Sequence, residues 1–86
     1  MLFTPVLTSR GNTTELDSYL SHNDAWIAVS VFLDRVHSWR KDIFGADDER
    51  TILTQEAKTK AYDIACGVSS DTSVDAPKVH FEVVKR

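Results

Sequence analysis

One cysteine, three glycines, two prolines and three isolated histidines in 86 residues leave few chemical routes open to this chain. Cys66 has no partner for an intramolecular disulfide, which points to a reducing compartment, the cytoplasm, or the host cytoplasm for a viral chain. His22, His37 and His80 fall at none of the spacings that set two imidazoles on one ion, so neither a metal nor another cofactor is expected. No Ser-His-Asp or Cys-His arrangement can be argued from local sequence, and the chain reads as no enzyme. Long apolar runs are missing as well. The longest, AWIAVSVFL at 25–33, falls well short of the roughly 18 residues a membrane span needs, so a soluble protein is expected. The opening MLFTPVLTSR lacks the basic and long apolar regions of a secretory signal and reads as mature structure. Nor is there a basic excess: ten Lys and Arg against thirteen Asp and Glu give a formal charge of −3, which argues against general binding along a phosphate backbone.

An apolar share of 42% is that of a folding chain, and the length fits one domain, 1–86, with one small core. Residues 2–8, LFTPVLT, read as a strand in which Pro5 sits at an edge or a bulge. SRGNTT reads as a turn, after which Asn12 or Thr14 can cap a short helix over ELDSYL, with Glu15 and Asp17 near its positive end. Ser21-His22-Asn23-Asp24 has the Ser-x-x-Asp form of a capping box and starts a main helix over about 22–44; one helix from 14 to 44 is the alternative. Ala25, Val29, Phe32, Val36, Trp39 and Ile43 recur at spacings of four and three and form its expected core stripe. Gly45 stands where a left-handed C-terminal cap belongs.

A second helix over about 47–66 follows, acidic in its first turn, with a stripe of Leu53, Ala57, Ala61, Ile64 and Val68. Its alanines allow close approach to the first helix, with Phe32 or Trp39 filling the space above them. GVSSDTSVDAP at 67–77 reads as a flexible surface connection. KVHFEVVKR then alternates as a strand over about 78–85, with Val79, Phe81 and Val83 on one face. The expected fold is α+β: an antiparallel helical hairpin packed with a small sheet from the N- and C-terminal strands.

At 100° per residue, Ile27 and Val31 fall behind the main helix, with Trp26 and His37 on its flank. They need a second cover, either the terminal strands or a partner docking on Trp26, Ile27 and Val31 with His37 beside them. The C-terminal strand, through Val79, Phe81 and Val83, reads as a free edge for pairing with another copy or a partner, guarded by Lys78, Lys85 and Arg86. Asp47, Asp48 and Glu49 serve either as an acidic patch for a basic partner or as complement to the helix dipole. Asp71, Ser73, Asp75 and Glu82 match calcium-loop positions, but Ala76 replaces the required glycine and Pro77 stiffens the next position. Arg35, Arg40, Lys41, Lys58 and Lys60 could meet phosphates, yet interspersed Asp34, Asp42 and Asp63 make solvated faces the better reading. Cys66, near a helix C-terminus, is expected to pack beside Ile52 and Thr59. The functional expectation is a small non-enzymatic binder of a larger protein with a basic surface, of the inhibitor, anti-defence or antitoxin type made by phages and mobile elements. The alternatives are a self-assembling structural subunit, hence a homo-oligomer, and a nucleic-acid-binding regulator.

Overall fold

A computed structural model describes residues 1–86. The chain order is β1 (Phe3–Ser9), β2 (Asn12–Glu15), α1 (His22–Phe44), α2 (Glu49–Ala65), β3 (Ser73–Ala76) and β4 (Val79–Lys85). All strand pairs are antiparallel, in the spatial order β2-β1-β4-β3, so the chain's two terminal hairpins meet along β1 and β4. The α1–α2 hairpin covers one face of the sheet. With a shortest extent of 17 Å, the molecule has room for two layers and no more.

Local chemistry sets the bounds of α1. The Ser21 hydroxyl accepts from the Asp24 amide at 3.0 Å, and the Gly45 amide donates to the Lys41 carbonyl at φ 94°, so both ends satisfy groups a helix leaves open. Asp48 caps α2 by accepting from the Arg50 amide at 2.9 Å.

The buried face of α1 is Ala25, Trp26, Val29, Leu33 and Arg40. It is turned by about 60° from the expected stripe, at 100° per residue. Trp39 and Ile43, expected in the core, are exposed, and Trp26 is buried with none of its surface in water. The α2 stripe keeps Ala57, Ala61 and Ile64, whereas Leu53 and Val68 are exposed and Thr51, Thr54 and Ala65 take buried positions. From the sheet, Val74, Ala76 and Phe81 close the core. The Phe32 ring meets that of Phe81 edge-on at 5.6 Å.

Two segments differ from their expected states. The stretch after the first turn forms strand β2 instead of a short helix over ELDSYL, because Arg10 and Gly11 (φ 53° and 80°) make a two-residue turn that folds Asn12–Glu15 onto β1. Within the polar 67–77 connection, Ser73–Ala76 are strand β3, paired with β4 and anchored by buried Val74.

The structure gives Pro5 a specific place. β1 lies inside the sheet, and Pro5 stands just beyond the end of β2, where its missing donor removes the return bond to Leu16 and ends that ladder. Leu16 donates to the Pro5 carbonyl, and Tyr19 exchanges both backbone bonds with Phe3. Asp17 and Ser18 therefore oppose the single residue Thr4, a bulge beside the proline. The Thr4 and Ser18 hydroxyls share a hydrogen bond at 2.7 Å across it.

Candidate functional site

With the core face of α1 centred between Trp26 and Val29, Ile27 and Val31 point directly away from it. They are 43% and 50% exposed. Neither terminal strand nor α2 covers them, and they form a crest between two grooves.

The larger groove, about 860 Å³, runs between α1 and the bulged segment after β2, with Leu16, Tyr19, Ala28 and Phe32 adding apolar wall. The bulge shapes that wall by taking Asp17 and Ser18 out of the ladder. Glu15, Asp17 and Asp24 stand around this groove against one cation, Arg35, and Glu15 is paired with Arg86. The smaller groove, about 400 Å³, lies between α1 and α2 beside exposed Tyr62. Lys58 reaches across it to Asp34 at 3.2 Å. An apolar crest with a net acidic margin suits an apolar segment flanked by basic residues.

The other expected partner residues are not gathered here. Trp26 is core: its indole Nε1 donates to Nε2 of His22 at 3.2 Å, and the His22 ring meets the Phe3 ring edge-on at 5.8 Å. A column of three rings thereby fixes the start of α1 on β1, and no indole surface is left for a partner. His37 is half-buried and about three turns along the same flank, and it lines neither groove. Asp47, Asp48 and Glu49 lie beyond the opposite end of α1 from Ile27. Asp48 is spent on the cap and on a two-oxygen pair with Arg50 at 2.9 and 3.0 Å, hydrogen bonds that hold its carboxyl down to about 2.

Val79, Phe81 and Val83 offer no free edge, because β4 is enclosed between β1 and β3 and Phe81 is fully buried. The edges are β2 and β3, both four residues long and polar or charged along much of their length, features that resist edge pairing. Cys66 is exposed rather than packed. Tyr19 and Tyr62, which help build the grooves, come from segments that only the tertiary fold brings beside Ile27 and Val31.

No three His, Cys, Asp or Glu side chains are placed to hold a metal ion. The calcium-like set is dispersed: Asp71 pairs with Lys60 at 3.2 Å, while Asp75 and Glu82 bracket His80 at 2.5 and 2.9 Å on the open sheet face. The Glu82 and Asp75 hydrogen bonds raise the His80 pKa against a smaller desolvation effect. A raised folded-state value means the cluster stabilises the fold fully below the unfolded value of about 6.5 and ceases to do so as pH rises through the folded value. The imidazole is partly exposed, so screening holds the effect below about 1 kcal/mol. Urea unfolding at pH 6 and pH 9 should show a larger loss for the wild type than for His80→Gln; parallel profiles would rule out this linkage.

No helix is long and apolar enough to cross a membrane. No family model, curated protein or solved structure matches the chain.

Proposed function

We propose that the chain is a non-enzymatic protein-binding module of the cytoplasm, of the small inhibitor or antitoxin kind carried by phages and mobile elements. It seats an apolar segment with flanking Lys or Arg, supplied by a larger protein, across Ile27 and Val31. The observation that carries this reading is the exposure of two aliphatic side chains one turn apart on the side of α1 opposite its core face. The acids around the larger groove favour a basic partner surface. Assembly through an open β4 edge loses its support, since that strand lies inside the sheet.

The test places a photoreactive amino acid at Val31 and, as control, at Thr13 on the exposed β2 edge, followed by cross-linking in lysate of the native host. Val31 should capture a larger protein that Thr13 does not, and excess unlabelled wild type should compete it away. The purified pair should then lose about 30- to 100-fold in affinity on combined Ile27→Ser and Val31→Ser substitution, as two interface anchors of more than 1 kcal/mol each would require. Stability should change by less than about 1 kcal/mol, because both residues are surface positions. Equal capture at both positions, or unchanged affinity in the double variant, would overturn the reading. Cross-linking only to a second copy would replace it with self-assembly.

A further inference from the structure

Five residues have left-handed φ, and two of them, Arg10 (φ 53°) and Lys78 (φ 67°), are not glycine. Arg10 opens the two-residue β1–β2 turn, where asparagine or glycine is usual. Lys78 follows Pro77 in the β3–β4 turn, at the position that favours glycine. Since β1 ends and β4 begins at the same end of the sheet, the two turns are neighbours, tied by the Ser9 hydroxyl donating to the Lys78 carbonyl at 2.9 Å. Strained residues of this kind collect where a ligand is held, and here both are cations.

Both also line one cleft of about 550 Å³, together with Arg40, Arg50 and Trp39. No carboxylate lines it. Arg50 is neutralised by Asp48, but Arg10, Arg40 and Lys78 have no carboxylate within ion-pair distance. Arg40 is the sharpest case. It is nine-tenths buried, and its guanidinium donates only to neutral oxygens, the Thr54 hydroxyl at 2.8 Å and the Pro77 carbonyl at 2.7 Å. Burying a guanidinium without a counter-charge is unfavourable. Desolvation, reinforced by the charge on Arg50, lowers its pKa. An acidic chain of net charge −3 thus keeps three unpaired cations around a single cleft, with an indole 59% exposed at its side.

We propose that this cleft is an anion site for the phosphates of a small nucleotide, held by Arg10, Arg40 and Lys78, with Trp39 offering a stacking face to the base. Its volume is that of a small-ligand site. A nucleic-acid polymer would need a basic track leading away from the cleft, whereas Lys58 and Lys60 on α2 are already paired with Asp34 and Asp71. Arg40 lies roughly 20 Å along α1 from Ile27, so the site stands apart from the protein-binding crest.

The experiment follows Trp39 fluorescence as the intact chain is titrated with ADP, with inorganic pyrophosphate and with a 12-nucleotide single-stranded DNA. ADP should bind saturably, more tightly than pyrophosphate and more tightly than the DNA. By calorimetry, Trp39→Ala should weaken ADP binding about tenfold, the scale of one base stacked on an aromatic, and leave pyrophosphate binding unchanged. Arg10→Asn and Lys78→Gly should each weaken both ADP and pyrophosphate at least fivefold while raising the melting temperature, because each relieves a left-handed strain. A purely structural role for these cations predicts no loss of binding alongside that thermal gain. Absence of saturable ADP binding at millimolar concentration, or unchanged binding in both turn variants, would overturn the proposal. Equal affinity for ADP and pyrophosphate would overturn its nucleotide part, and tighter binding of the DNA would replace it with a nucleic-acid site.

Discussion

Trp26→Ala is expected to strip the fold of a large part of its stability. The indole is completely buried, and removing a tryptophan from a core costs about 3–5 kcal/mol, combining lost transfer energy with the cavity left behind. At roughly 0.05–0.15 kcal/mol per residue, a chain of this length has a total stability of only about 4–13 kcal/mol, so the loss consumes much of it. The core's many alanines worsen the prospect: Ala25 on α1 and Ala57, Ala61 and Ala65 on α2 are all buried and have no flexible side chains with which to fill space. Trp26→Phe keeps most of the volume but loses the donor to His22, and should cost about 1–2 kcal/mol. Urea unfolding followed by far-ultraviolet circular dichroism gives both values. An alanine variant within 1 kcal/mol of the wild type would show that the indole does not anchor the core and would return Trp26 to consideration as a binding residue.

That prediction also marks where the sequence stopped being informative. The bounds of α1 were legible because its caps are local: Ser21 and Gly45 act within a few residues of themselves. The core face was not. AWIAVSVFL is apolar nearly all round, so a stripe through Ala25, Val29 and Phe32 and another through Trp26, Val29 and Leu33 fit the helical period about equally well. The sheet decides between them, and its position is a tertiary fact. Strands β2 and β3 were hidden for a related reason. NTTE and SVDA are too short and polar to show a period of two, and their extended state comes from the turns that fold them onto β1 and β4. SRGNTT is legible as a turn, but Arg10 hides its two-residue hairpin form and Lys78 hides the β3–β4 turn, at positions where asparagine or glycine is usual.

The same dependence on distant chain explains the candidate site. Ile27 and Val31 could be identified from α1 alone as residues lacking an obvious cover, because angular position on a helix is local information. The grooves beside them could not. One wall is a bulge allowed by Pro5 and the other belongs to α2. In sequence Arg40 resembles the solvated cations around it, since nothing nearby announces that Thr54 and Pro77 enclose it.

Phe81→Ala is expected to be as damaging as the loss of Trp26, for a topological reason as well as a packing one. The ring is fully buried and meets Phe32 edge-on, so truncation forfeits about 3–5 kcal/mol, to which the aromatic pair contributes about 0.5–1.5 kcal/mol beyond its buried area. Phe81 also sits opposite Leu7 on β1 and Val74 on β3, which makes it the side chain at which the N-terminal hairpin, the C-terminal hairpin and α1 meet. Isolated two-stranded hairpins are marginal in water, so each hairpin depends on the junction between β1 and β4. Loss of the ring should therefore lower the stability of the whole unit in a single transition rather than fray β3 alone. Hydrogen exchange distinguishes the two outcomes. Amides of β1 and of α1 around Val29 should lose protection together with those of β3 in Phe81→Ala, whereas selective loss confined to Ser73–Ala76 would show that the two hairpins are not coupled through this residue.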